Sequence, residues 1–187
     1  MKNILIVLIG IQFFGCVVKE KDNQQTTNNI ENDSAVQAVE SFYRWYLDSL
    51  YENGAINSPD VVLTKDSIYK LDGTKYLRLL KQSNFFSNNF LEGQKERVNE
   101  CNEELITEKG QQQYREARFM AIESKVCDFM NYYPWIGGQG EDIEKIKIIA
   151  SKIDGDKAKV VVKASQEVNV ELIKENALWQ INKIYIR

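Results

Sequence analysis

The sequence predicts an α+β fold in which N-terminal helices pack against a curved C-terminal antiparallel sheet. Three observations lead there. Up to about residue 130 the apolar residues recur with a period near 3.6, as on one face of a helix. After Pro134 they alternate with a period of 2, the mark of half-buried strands. Asp154-Gly155-Asp156 separates two alternating runs, and Asp-Gly accepts the positive backbone angles of a tight hairpin turn. Helices first and a meander after them make an α+β domain with a sheet wrapped on a helix.

The elements follow in order. Ser34 and Gln37 have capping-box spacing, and a helix from there is expected to reach Leu50 or Tyr51 and stop at Asn53-Gly54. Val36, Val39, Tyr43, Tyr46, Leu47 and Leu50 form its apolar stripe, with Phe42 at the edge. Trp45 falls off the stripe, so it either meets a second layer or stands on the surface. Ser58-Pro59-Asp60 is a turn, and Asp72-Gly73-Thr74 opens a short helix carrying Tyr76, Leu77, Leu79 and Leu80. Ser83-Asn84 is the expected cap of a helix from Phe85 to about Ile106, whose charged remainder is a solvated face. Gly110 is expected to end it before another helix, from about Gln112 to Met130, with Tyr114, Phe119, Ile122, Val126 and Phe129 inward.

In the sheet, Ile146, Ile148 and Ala150 form one inward set and Ala158, Val160, Val162 and Ala164 the next, with Lys157, Lys159 and Lys163 between them. Val168, Val170 and Leu172 make a third strand, and Glu175-Asn176 the following turn. Trp179 and Ile181 then lie on one face by strict alternation, while Ile184 and Ile186 fall on the other. A change of phase near Asn182-Lys183 predicts a bulge or strong bend, as curved sheets need.

Residues 1 to 15 have the grammar of an export leader. Lys2 precedes an apolar run from Ile4 to Phe14, shorter than the roughly 20 residues a spanning helix needs. Phe13-Phe14-Gly15-Cys16 resembles the lipobox of bacterial lipoproteins, although Phe13 stands where that family usually has leucine. The resemblance implies that Cys16 receives a diacylglycerol and that the leader is removed. Residues 17 to 33 hold too few apolar side chains to bury and are expected to form a disordered tether, with an end-to-end distance of about 23 Å. The expected location is the bacterial cell envelope, lipid-anchored on its periplasmic or surface face, with residues 34 to 187 as one domain.

Composition narrows the chemistry. The 187 residues include no histidine, which removes the commonest general base, the commonest metal ligand and every Ser-His or Cys-His nucleophile. Three cysteines without C-x-x-C spacing do not make a thiolate zinc site, and neither the Asp154-Gly-Asp156 acids nor those at 141 to 144 match a calcium loop. No metal and no cofactor is expected. Because Lys2 is the only charged side chain of the leader, the chain from Cys16 onward carries 23 basic and 27 acidic groups. That balance, with no Lys/Arg run, argues against nucleic acid as a partner. Cys101 and Cys127 remain once Cys16 is taken for lipid. In an oxidising compartment they form either one bridge between two helices or two separate buried thiols.

"SFYRWYLDSLY", "SNFFSNNF" and the closing "VNVELIKENALWQINKIYI" together resemble a family of bacterial lipoproteins and secreted proteins with the cystatin-like, nuclear-transport-factor-two-like fold. The likeness covers most of 34 to 187. It implies a cone-shaped domain and no particular reaction.

The densest set of polar and aromatic residues outside the elements is "DFMNYYPWIGGQGED", residues 128 to 142. Asp128, Gln139 and Asp142 with Trp135 as an apolar wall are a candidate ligand-binding set at the mouth of the cone, and Tyr43 or Tyr114 is a candidate hydroxyl donor inside it. The competing expectation is an ordered crossover loop in which Pro-Trp packs on the core. Gly137-Gly138-Gln139-Gly140 is not a phosphate loop, since it lacks G-x-G-x-x-G and leads into a strand pattern. Two functions are carried forward. One is a non-enzymatic, membrane-tethered binding or adaptor domain for another protein, of inhibitor or immunity type. The other is a small-molecule binder or hydrolase- or isomerase-like enzyme using the cone interior.

Overall fold

Residues 33–53, 58–117, 127, 135–136 and 146–186 are described by a computed structural model. The leader, Cys16 and the tether up to residue 32 lie outside the described residues, as do Phe119, Ile122, Val126 and Phe129.

The element order is α1 (Ser34–Asn53), β1 (Asp60–Leu63), β2 (Tyr69–Asp72), α2 (Thr74–Ser83), α3 (Asn88–Leu105), α4 (Glu108–Ala117), β3 (Lys147–Asp154), β4 (Lys157–Lys163), β5 (Glu167–Glu175) and β6 (Leu178–Ile186). β3 to β6 form one antiparallel sheet in sequence order, and β1 and β2 a separate hairpin. The class is α+β. The hairpin is an addition to the expected elements: "DVVL" and "YKLD" are too short for alternation to announce them. It is held to the helices by two amides. Asn102 on α3 accepts from Leu71 N–H at 2.6 Å and donates to Leu71 C=O at 3.0 Å, while Gln111 on α4 does the same for Tyr69 at 2.8 and 2.7 Å.

Three of the four helix starts have a side-chain cap, and α2, with Gly73 at its N-cap, has none. Asp33, not Ser34, caps α1, its Oδ1 accepting from Ala35 N–H at 2.8 Å. α2 starts where expected, and the hydroxyl and backbone N–H of Thr74 hold the exposed Asp72 carboxyl below its ordinary range. Asn84 ends α2 in the left-handed conformation, and Ser87 rather than Ser83 caps α3 by accepting from Phe90 N–H at 3.1 Å. Thr107 caps α4, its hydroxyl accepting from Gly110 N–H at 3.0 Å. Gly110 therefore lies inside a helix instead of ending one. A Cβ there would stand 2.3 Å from Glu104 O and 2.8 Å from Leu105 O, so the end of α3 packs directly on its backbone.

Two bulges bend the sheet. Ile149 is extra on β3, where the register steps from Ile148↔Val162 to Ala150↔Val161. The step turns Ala150 outward, against the simple alternation, and puts Ser151 on the inner face. Asn182 is extra on β6, between Ile181↔Leu172 and Lys183↔Glu171. This resolves the phase change read in the sequence: Ile181, Ile184 and Ile186 all face inward. Residues 85 to 87 then line up beside β6, with Ile181 N–H donating to Phe85 C=O at 2.7 Å and Ser87 N–H to Ile181 C=O at 3.0 Å. The bulge residue secures that seam, its Oδ1 accepting from the Ser87 hydroxyl at 2.9 Å.

α1 lies in the curl of this sheet. Ser151 on one edge strand donates to Asp33 Oδ2 at 3.2 Å, and Trp179 on the other donates to the Ser34 hydroxyl at 2.9 Å. A flat four-stranded sheet sets its edges about 14 Å apart. Closing both edges on one helix turn takes a curl together with the reach of the indole.

Candidate functional site

Inside the curl, Val36, Val39, Phe42, Tyr43, Tyr46 and Leu47 of α1 are buried against Val160, Val162, Val168, Val170, Leu172 and Ile181 of the sheet. Phe42, placed at the stripe's edge by sequence, is the hub: its ring lies 4.9 to 6.1 Å from those of Tyr43, Trp45, Tyr46, Phe85, Phe86 and Trp135. α1 is covered on two sides, by the sheet and by the Phe85-Phe86 segment, so its apolar face is wider than one stripe. Trp45 meets that second layer, with its ring 5.4 Å from Phe85.

The residues singled out as a ligand set divide. Asp128, Gln139 and Asp142 lie outside the described residues. Trp135 is only 3% exposed and packs its ring 4.8 Å from Tyr46 and 5.5 Å from Phe86. It is a core residue, not an open wall. The Tyr43 hydroxyl donates to Trp135 C=O at 3.0 Å, and burial pushes its pKa above the ordinary 10.0. Sequence reasoning thus named two residues that do touch, but the contact is internal packing and the hydroxyl is engaged. Tyr114 packs against Tyr69, with ring centroids 4.7 Å apart. Cys101 and Cys127 are bridged, with Cα atoms 5.1 Å apart and both residues buried. Among the described residues no cluster of three or more His, Cys, Asp or Glu is placed to hold a metal, and no helix is long and apolar enough to cross a membrane.

The outer face of the sheet holds the more suggestive constellation. Register places Lys152 of β3, Lys159 of β4, Glu171 of β5 and Lys183 of β6 in one row across all four strands. The next row is Asp154, Lys157, Ile173 and Gln180. Between these rows runs an open groove of about 320 Å³, lined by Lys152, Asp154, Lys157, Lys159, Glu171 and Ile173, with Asn182 at its end. Tyr185, from the row on the other side, reaches over. Its hydroxyl donates to Glu171 Oε1 at 2.9 Å and accepts from Lys159 Nζ at 3.2 Å, and its ring has Lys159 and Lys183 ammoniums 5.6 and 5.1 Å from its centroid. No ion pair ties Lys152, Lys157 or Lys159 to a carboxylate among the described residues. Beside Tyr185 on the ladder, Asn169 is 3% exposed, and its side-chain amide has no hydrogen-bond partner among the described residues.

Sequence alternation had put Lys157, Lys159 and Lys163 on the solvent side, but as spacers. What it lacked was the register across all four strands: the hairpin turn sets Lys152 opposite Lys159, but the bulge at Asn182 decides that Lys183 of β6 joins their row.

No family model and no curated protein matches the chain. Among solved structures, the chain is similar to one in the crystal structure of the type VI native effector-immunity complex Tae3-Tai3 from Ralstonia pickettii. Identity there is 20%, the TM-score is 0.39, and the match covers 80% of this chain and 92% of that one. The selenomethionine form of the same complex matches with 18% identity and a TM-score of 0.39, over 80% and 93% of the two chains.

Proposed function

We propose that this chain is a non-enzymatic binding domain held at a bacterial envelope membrane through lipid on Cys16, and that it engages another protein with the outer face of its sheet. The observation that carries this reading is the contrast between the two faces of the sheet. The inner face meets α1 in a packed aromatic core, and the outer face presents a solvent-open groove whose lysines make no ion pair among the described residues. Interiors filled to crystal-like density leave side chains no freedom to receive a ligand, whereas a concave polar surface does. The lipobox-like Phe13-Phe14-Gly15-Cys16 and the polar residues 17 to 33 support the tether. Two or three acyl chains at Cys16 exceed the marginal, reversible hold of one chain, so the attachment is stable.

The anchor is tested by mass spectrometry of the protein's amino terminus after expression of the full chain in a bacterium. The expected species begins at Cys16 with acyl chains, and Cys16→Ser moves the protein out of the membrane fraction. A chain that still begins at unmodified Met1 defeats the anchor. For the binding surface, a photo-crosslinking residue at position 157 should capture a protein that one at position 65, on the β1–β2 loop, does not.

A further inference from the structure

We infer that the outer-face groove takes an extended acidic segment of a polypeptide, with alternate carboxylates of that segment meeting Lys157, Lys159 and Lys152. This rests on the reading of the chain as a binding domain and adds the chemistry of what it binds. The charge is locally inverted: a chain with a formal charge of -3 places three lysines and one glutamate in a single sheet row. That glutamate is already engaged, because Glu171 accepts from the Tyr185 hydroxyl. Lys152 and Lys159 stand directly opposite each other, and Glu171 offsets only the Lys159 side, being opposite Lys159 and linked to it through the Tyr185 hydroxyl, so the repulsion at Lys152 is relieved by an added anion.

The spacing chooses among anions. Lys157 and Lys159 are two residues apart on one strand, so their stems leave the sheet about 6.6 Å apart, the same repeat as side chains i and i+2 of another extended chain. Lys152 adds a third ammonium one strand away, about 4.8 Å in the perpendicular direction. Asp154 and Glu171 are interspersed among the lysines, so a uniformly anionic bilayer surface would be repelled at two points. Spaced carboxylates pass between them.

The test uses the full-length chain in nonionic micelles and a fluorescein-labelled peptide of alternating Glu and Thr, with the Gln/Thr peptide as control. The Glu/Thr peptide should bind, and the Gln/Thr peptide should not. Lys152→Glu with Lys159→Glu should weaken binding by on the order of tenfold or more, while Lys65→Glu with Lys75→Glu, the same charge change on exposed residues elsewhere, leaves it within about twofold. Lys152→Gln with Lys159→Gln, which reverses no charge, should fall between, and circular dichroism confirms that each variant is folded. Equal loss in both charge-reversed pairs, or no binding of the Glu/Thr peptide, overturns the inference. So does binding of phosphatidylglycerol vesicles through the same lysines without peptide binding, which would assign the face to a membrane. Crosslinking from position 157 separates the two levels: a captured protein that the Glu/Thr peptide does not displace overturns the acidic segment alone, and no capture overturns the binding-domain reading.

Discussion

Tyr43 and Tyr76 each bury a phenol, and burial raises both above the ordinary value of 10.0 because the phenolate loses its hydration. A raised folded value means that the unfolded chain releases these protons first. Their contribution to stability is complete below pH 10 and is lost as pH rises from there toward the folded values. Each tyrosine should then remove about 1.4 kcal/mol of unfolding free energy per pH unit. Urea unfolding between pH 9 and 11.5 reads the slope, and Tyr43→Phe should lessen it while costing about 1 kcal/mol at pH 8 for the lost bond to Trp135. A slope that Tyr43→Phe leaves unchanged would contradict the assignment. A second residue is strained for a local reason. The β5–β6 turn holds both Asn176 and Ala177 at positive φ, 50° and 66°, and alanine pays a steric penalty there that glycine avoids. Ala177→Gly should raise stability by about 0.5 to 1 kcal/mol, seen as a higher urea midpoint with an unchanged m-value. The Asn176 turn was visible in the sequence; the strain at Ala177 was not, since no glycine marks it.

Among the elements, β6 depends on its one extra residue. Deleting Asn182 would turn the bulge into a regular ladder in which Ile181, Ile184 and Ile186 still face inward and Lys183 and Tyr185 outward, so the pairing survives while the bend and the bond to Ser87 are lost. The expected result is a folded chain with its near-ultraviolet signal kept and a lower urea midpoint, and Asn182→Ala, which keeps the bulge and removes only the bond to Ser87, should cost about 1 kcal/mol. α4 makes the opposite demand on its backbone. Gly110→Ala should destabilise by about 1 to 3 kcal/mol although alanine is the better helix former, because its Cβ meets the carbonyls that end α3. Thermal unfolding of the variant checks this. At this scale the sequence was informative where patterns are long. α1, the β3–β4 turn and the β6 bulge were all visible in it. It misplaced the caps of α1 and α3 by one to four residues and misread Gly110, because cap choice and close helix approach depend on neighbours distant in sequence.

Across the whole molecule, the Cys101–Cys127 bridge closes a long excursion of the chain onto α3. With a sequence separation of 26, the chain-entropy model assigns it about 3.5 kcal/mol. Reduction, or Cys101→Ser with Cys127→Ser, should lower the melting temperature by roughly 7 to 14 °C without changing the sheet's circular dichroism. Equal melting of the oxidised and reduced chains would show that the bridge constrains nothing. The sequence by itself determined the α+β class, the strand order of a meander, the aromatic face of α1 and the absence of histidine chemistry, because these follow from periodicity, turn residues and composition. Only the tertiary structure decided that Cys101 and Cys127 meet and that Tyr43 and Trp135 serve the core. It also decided that lysines from β3, β4 and β6 share one row on the outer face of the sheet. Each of those depends on which distant residues become neighbours, and the single-residue bulge at Asn182 sets the register that brings Lys183 into line with Lys152 and Lys159.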